Sequence, residues 1–192
     1  MTFFAFIRHG ETDWNRDERL QGSTDIPLND TGRAQAAAAV ANLADDRWDA
    51  IVSSPLSRAR ETAEIIADGL GSSLGPSYDD LRERDYGAAE GCTAADIAER
   101  WPDRDYPRLE SEASVVARGR AALTSIASEY GHDARVIVVC HGTLIRLTLG
   151  ALADRPFASI INGSVSTFRS LDDDGWEVLS VNGEVLATSD AD

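Results

Sequence analysis

The chain contains no lysine; all 18 of its basic residues are arginine. That absence excludes Schiff-base catalysis by lysine and any Walker-type phosphate loop, both of which need the ammonium group. Phosphate chemistry stays open, because a guanidinium grips phosphate with two parallel hydrogen bonds and keeps its charge at any ordinary pH. A bias in overall composition is the simplest origin of an all-arginine set. Cysteine is equally scarce. Cys92 and Cys140 are the only two, which leaves no disulfide framework and reads as a pair of reduced thiols in a cytoplasmic protein. No apolar run is long enough to span a bilayer, and the N-terminus lacks the basic-then-apolar order of a secretory signal. Positive charge is also in deficit. A net charge of −15 argues against nucleic acid and anionic membrane as partners, since a phosphate backbone would be repelled.

What remains is an ordinary globular composition, 43% hydrophobic and 27% charged over 192 residues, read as a single domain spanning 1–192. Phe3 to Ile7 reads as a buried strand. A polar loop follows from Glu11 to Pro27. Thr31 is the expected cap of a helix over Gly32 to Leu43. Ala50 to Ser53 forms a second strand, after which Ser54 as cap and Pro55 as first residue open a helix to about Asp68, stopping at Gly69 or Gly71. Tyr78 to Gly91 reads as irregular. Thr93 with Asp96 predicts a capping box on a short helix ending before Pro102, and Trp101 to Leu109 reads as loop. Ser114 to Tyr130 is an amphipathic helix closed by Gly131. Arg135 to Cys140 is the most hydrophobic strand, followed by a helix from about Thr143 to Ala153. Strands at Val165 to Leu171 and Trp176 to Val181, joined by Asp172-Asp173-Asp174-Gly175, form a terminal hairpin, with a frayed tail after Glu184. Strands alternating with helices predict a three-layer α/β sandwich: a mostly parallel sheet with helices on both faces. The segment 91–113 is the expected excursion from that core, a small lid. Trp176 and Val178 on the hairpin are candidates for an edge contact in a homodimer.

Two hydrophobic runs end in His-Gly: Phe3 to Ile7 leads into Arg8-His9-Gly10, and Val136 to Cys140 leads into His141-Gly142. Neighbouring strands of this kind deliver both imidazoles to one sheet edge, where open α/β sheets form ligand sites. Arg58, in the first turn of the helix after the second strand, brings a guanidinium to the same edge beside the positive end of a helix dipole. Asn15 and Gln21 in the loop after His9 are further donors. Cleaving a phosphomonoester needs an in-line nucleophile, fixed positive charge around the phosphoryl oxygens, and a proton for the departing alkoxide. A neutral His9 can supply the first by forming a phosphohistidine. A metal site on His9, His141 and a carboxylate is the rival reading, disfavoured because Arg8 and Arg58 would repel a cation. His132, in a polar loop, reads as a surface residue.

Arg8-His9-Gly10-Glu11-Thr12 with Asn15, Leu20-Gln21-Gly22 and Asp25 resembles the first block of the histidine phosphatase superfamily, also called the phosphoglycerate mutase-like family. Ser53-Ser54-Pro55-Leu56 with Arg58-Ala59 and Thr62-Ala63 is similar to its second block. Leu81-Arg82-Glu83 with Gly87 and Glu90-Gly91, then Val138-Val139 with His141-Gly142, resemble the third and fourth. The likeness runs from about Phe4 to Ala153. It implies His9 as the phosphorylated nucleophile, and Arg8, Arg58 and His141 as a phosphate pocket joined by Asn15, Gln21, Gly22 and Gly142. It also implies Glu83 as the acid that protonates the leaving group and then activates water. Asp79, Asp80, Asp85 and Glu90 are rival carboxylates, among which the resemblance selects Glu83. No cofactor or metal is implied. Glu83-Arg84-Asp85-Tyr86-Gly87 is also similar to the cofactor-dependent mutases. Those usually carry histidine where this chain has Asp85, and a longer insertion with lysine and paired arginines. The expected activity is therefore hydrolysis of a small phosphorylated metabolite, with a mutase or an inactive phospho-ligand scaffold as alternatives. Arg84, Arg104, Arg108, Trp101 and Tyr106 are candidates to meet the leaving group.

Overall fold

The computed structural model describes residues 1–172 and 175–187. Strands β1 (Phe3–Arg8), β2 (Ala50–Ser53), β3 (Arg135–Cys140), β4 (Val165–Ser170), β5 (Trp176–Val181) and β6 (Glu184–Val185) form one sheet in the order β2-β3-β1-β4-β5-β6. β1, β2 and β3 run parallel, β4 is antiparallel to β1, and β5 returns to the direction of β1, so four of the six strands point one way.

Alternation on the parallel strands splits the core in two. Phe4, Phe6, Val52, Val136 and Val138 face one side, where they pack with helices α5 (Glu112–Tyr130) and α6 (Gly142–Ala153). Ala5, Ile7, Ile51, Ile137 and Val139 face the other, beneath helices α2 (Asp30–Ala39) and α3 (Ser57–Leu70). All ten are essentially without solvent contact, each contributing roughly 1.5–3 kcal/mol if large and apolar. Burial on both faces is the reason these strands are short, continuously apolar runs, as a sheet covered on both sides requires. Two shorter helices complete the set: α1 (Asp13–Arg16) and α4 (Ala94–Arg100). Among the described residues no helix is long and apolar enough to cross a membrane.

Three helix starts differ from expectation, and one short helix was not expected. α2 begins at Asp30, with Asn29 rather than Thr31 accepting the Gly32 N–H at 2.8 Å. α3 begins at Ser57, not Pro55, and its first N–H is capped from a distance by Asp25, which accepts both Ser57 N–H and Ser57 Oγ–H at 2.8 Å. Local spacing does not display a cap that lies 32 residues away. α5 begins at Glu112 because Ser111 accepts the Ser114 N–H. Within the polar loop Thr12 and Asn15 form a capping box that nucleates α1. The Thr93–Asp96 box and the Gly131 stop stand as read. The turn of the terminal hairpin includes Asp173 and Asp174, outside the described residues. After Glu184 the chain continues on the sheet, with Leu186 N–H donating to Leu179 O at 2.8 Å; residues 188–192 lie outside the described residues. Trp176 packs inward on Phe4 and Phe168, Val178 joins the same cluster, and β6 is the outer edge strand.

The corrected cap is testable by thermal or urea unfolding. Asn29→Ala should cost about 1 kcal/mol, the usual value of an N-cap side chain, and Thr31→Ala, at an exposed position, less than about 0.5 kcal/mol. The reverse ranking would restore Thr31 as the cap.

Candidate active site

Register fixes the meeting of the histidines. Arg8 pairs with Cys140, so His9 and His141 leave the sheet side by side, and His9 N–H extends the ladder to Cys140 O at 3.0 Å. The two rings lie 5.1 Å apart, centroid to centroid, inclined at 59°. β2 ends at the same level, with Ser54 N–H bonded to Val139 O at 2.9 Å. Gly10 lets the chain turn here: a Cβ on it would stand 2.2 Å from Gly32 O at the start of α2.

His9 is oriented by its own loop. Nδ1 lies 2.7 Å from Gly10 O. A carbonyl only accepts, so Nδ1 carries the proton and Nε2 holds the lone pair. Arg58 Nε donates toward that Nε2 at 3.2 Å. The rest of the Arg58 guanidinium is bonded to Gly22 O at 2.8 Å and Thr24 O at 3.0 Å, and the residue has no solvent exposure. Burial lowers its pKa to about 10, offset in part by Glu83, Asp25 and Glu90, so it stays cationic at neutral pH. His141 is equally buried. Its Nε2 meets Ser54 Oγ at 2.8 Å and its Nδ1 is buried without a partner. Ser54, expected as a helix cap, accepts Leu56 N–H at 3.3 Å just ahead of α3 and serves His141 as well. Burial first, then Arg58 and Arg8, holds His9 well below the ordinary imidazole range; burial, Arg58, His9 and Arg8 do the same for His141.

A cavity of about 230 Å³ opens in front of His9, lined also by Arg8, Asn15, Gln21, Glu83, Tyr86 and Gly142. Arg8 donates from one terminal nitrogen to Ile160 O at 2.6 Å, while its Nε is buried without a partner. Gly142 makes room for it, since a Cβ there would lie 3.1 Å from that Nε. Gln21 Nε2 is likewise buried and unpartnered, its Oε1 held by Thr12 Oγ–H at 3.0 Å. Buried donors without partners are rare in folded proteins. Here two, Arg8 Nε and Gln21 Nε2, belong to side chains that line one hollow, an arrangement suited to an anion, and the unpartnered His141 Nδ1 lies behind His9.

Glu83 is buried, and each of its oxygens is held by the backbone. Oε1 accepts from Arg84 N–H at 2.8 Å and Leu144 N–H at 3.0 Å, and Oε2 from Thr143 N–H at 3.0 Å. The start of α6 thus holds this carboxylate against the cavity wall. The rival carboxylates are elsewhere. Asp79 pairs with Arg82 at the surface, Asp80 is exposed, and Asp85 accepts from Gly87 N–H. Glu90 is half-buried and holds the loop behind Arg58, accepting from Ser23 and Thr24 N–H at 2.8 Å and Tyr86 N–H at 3.2 Å. Burial works against its charge, yet those bonds together with that of the Thr24 hydroxyl hold its carboxyl below the usual range.

Not every expected residue faces the cavity. Arg58 and His141 touch His9 from beneath, and Gly22 contributes a carbonyl to Arg58 and no surface to the hollow. A Cβ on Gly22 would run into Glu90 and Arg84 O. Arg84, Arg104 and Tyr106 wall a neighbouring cleft, whereas Trp101 stacks edge-on against Tyr106 and neither it nor Arg108 lines either hollow. His132 is exposed, near Asp133 and Asp172. One residue had no signal in the sequence: Asn162 donates to His9 O at 2.9 Å and to Asn15 Oδ1 at 3.3 Å, tying the strand end to α1. A lone asparagine in a loop 153 residues from its partner is invisible to spacing.

The family model of the histidine phosphatase superfamily, branch 1, matches residues 4–184. This chain belongs to that superfamily. A Bacillus subtilis protein named uncharacterized phosphatase PhoE is 42% identical over 149 residues, covering 78% of this chain and 76% of its own length. An Arabidopsis thaliana metal-independent phosphoserine phosphatase is 32% identical, covering 94% and 83%. Among solved structures, a mycobacterial glucosyl-3-phosphoglycerate phosphatase in complex with VO3 superposes with a TM-score of 0.83 at 30% identity, covering 94% of this chain and 98% of that one.

The lowered imidazoles carry a pH signature. Below about pH 6.5 the unfolded chain protonates His9 and His141, while the folded chain resists until lower pH. The unfolded state then binds more protons, so stability falls as the pH is lowered. In phosphate-free buffer, urea midpoints should drop between pH 6.5 and 5 more steeply for the native protein than for a His9→Asn, His141→Asn double variant. Exposed His132, raised by its bonds to Asp133 and Asp172, works in the opposite sense and is common to both. Parallel slopes would show that the two imidazoles titrate as in water.

Proposed function

We propose that the chain is a phosphomonoesterase working through a phosphohistidine on His9. The observation that carries this reading is the locked tautomer of His9: Nδ1–H is bound to Gly10 O, so the lone pair sits on Nε2, where it accepts a 3.2 Å hydrogen bond from Arg58 Nε at the cavity that Glu83 also lines. The neutral state favoured by burial and the two arginines keeps that lone pair available at neutral pH. Arg8, Asn15 and Gln21, which line the cavity, hold the phosphoryl oxygens, backed by the charge of Arg58 and by His141 behind His9, with Gly142 giving Arg8 its space.

In the first step His9 Nε2 bonds to phosphorus and the ester P–O bond breaks. The proton of Glu83 goes to the departing oxygen, releasing an alcohol. In the second, Glu83 as carboxylate takes a proton from water while the water oxygen bonds to phosphorus. The N–P bond breaks, inorganic phosphate leaves, and His9 is neutral again. Supporting the hydrolytic over the mutase reading are the missing lysine and the brevity of the 91–113 excursion. Relatives named for phosphatase activity point the same way. The substrate is a small phosphorylated molecule, and two buried free thiols suit a reducing cytoplasm.

Hydrolysis of p-nitrophenyl phosphate should fall at least about 10³-fold in His9→Ala, in line with loss of a covalent nucleophile. Undiminished turnover would remove His9 from the mechanism, and rapid isomerisation of 3-phosphoglycerate primed with 2,3-bisphosphoglycerate would make the protein a mutase. Glu83→Gln should slow alkyl phosphates, whose alkoxides need a proton, about 10²-fold more than p-nitrophenyl phosphate, whose phenolate does not. Equal slowing of the two would assign the proton to another group.

A further inference from the structure

The two histidines stand at the ends of β1 and β3, where ladder hydrogen bonds fix the main chain. Glu83 has no such support. It lies in an irregular stretch between the 3₁₀ turns Asp79–Leu81 and Gly87–Ala89, on neither strand nor helix. The start of α6 holds the carboxylate itself. The place of the main chain beneath it depends on whatever grips the stretch on either side.

Two residues that line neither the reactive cavity nor the cleft beside it supply that grip. Arg118, in the second turn of α5, donates from one terminal nitrogen to Asp80 O at 2.9 Å and to Arg82 O, immediately before Glu83. Glu110, just ahead of the α5 cap Ser111, bonds the chain immediately after Glu83. Its N–H donates to Asp85 O at 2.9 Å, its Oε2 accepts Asp85 N–H at 3.1 Å, and its carbonyl accepts from Arg84 Nε at 2.8 Å. A bidentate ion pair joins the two: Arg118 Nε to Glu110 Oε1 at 2.9 Å, and the other terminal nitrogen to Oε2 at 3.0 Å. Their side chains are only 17% and 18% exposed. Burial works against the Glu110 charge, yet Arg118 and Asp85 N–H hold its carboxyl below the usual range.

An exposed ion pair adds little, whereas a two-pronged, largely buried one is geometrically specific. Here the pair clamps both flanks of one carboxylate. A group that hands over a proton in the transition state has to meet the leaving oxygen at hydrogen-bond distance, and small misplacements are costly. Resting on the hydrolytic reading above, we propose that Glu110 and Arg118 act as one positioning unit for Glu83, holding its loop where the carboxyl reaches the leaving oxygen. Neither touches substrate. Their loss therefore falls on esters whose leaving group needs a proton.

The test compares phenyl phosphate, whose phenolate needs that proton, with p-nitrophenyl phosphate, whose phenolate does not; the rings are otherwise alike. Arg118→Gln should raise the ratio of kcat on p-nitrophenyl phosphate to kcat on phenyl phosphate by about fivefold or more, part of the worth of a general acid, with little change in KM. Arg118→Lys, which still reaches Glu110, should recover part of the native ratio. Added to Glu83→Gln, Arg118→Gln should change the ratio no further, as expected of a residue that acts through another. Removing one partner of a buried pair endangers folding. Urea midpoints are therefore measured alongside, and if Arg118→Gln does not fold, Glu110→Gln, which keeps an acceptor for Asp85 N–H, is compared with Arg118→Lys. Equal slowing of both esters, a native ratio in the folded variants, or a further change on top of Glu83→Gln would each reduce the pair to a structural brace and overturn the proposal. A native ratio in Glu83→Gln itself would instead remove Glu83 as the acid, so failure of the clamp and failure of the underlying mechanism are distinguishable.

Discussion

A single guanidinium taken wholly out of water organises this site. Arg58 satisfies its N–H groups on the carbonyls of Gly22 and Thr24 and on His9 Nε2. Dipolar acceptors satisfy hydrogen bonds and leave the net charge uncompensated. Burial holds both imidazoles neutral first, and that charge presses them further the same way. The same charge makes an incoming phosphate the natural counterion. One residue therefore prepares the nucleophile and attracts the electrophile, and binding relieves an electrostatic cost built in during folding.

Much of the neighbourhood exists to hold that charge in place. The loop carrying Gly22 and Thr24 is clasped from below by Glu90 and pinned to the head of α3 by Asp25, which caps Ser57 one residue before Arg58. Three carboxylates near the site thus have separate tasks set by wiring alone. Asp25 caps, Glu90 clasps, and Glu83 faces the cavity on donors from its own loop and the start of α6. All three are acidic side chains within reach of the same arginines; their backbone partners decide which one can meet a substrate.

The surface and the cavity carry opposite signs. The chain as a whole carries a net charge of −15, while the arginines and unpartnered donors at the strand ends make the hollow locally positive.

Short continuous hydrophobic runs, each closing in His-Gly, were enough to read β1, β3 and the shared edge, because strand burial and chain direction are local properties. Arg58 was legible for the same reason, two residues into the helix after a third strand. The alternation of elements likewise announced an α/β sandwich. Other features depended on contacts that span the chain. Asn29 and Asp25 replaced the nearer candidates Thr31 and Ser54 as caps, since any oxygen that reaches the N–H competes regardless of sequence distance. Composition left five carboxylates equivalent, and only folding buried Glu83 against α6 and sent Asp79, Asp80, Asp85 and Glu90 elsewhere. Asn162 gained its place entirely through packing. The sequence by itself determined which side chains could do phosphate chemistry and that the histidines would end neighbouring strands; the tertiary structure decided which nitrogen of His9 carries its proton and which carboxylate lines the cavity, because those depend on hydrogen bonds between residues that only the folded chain brings together.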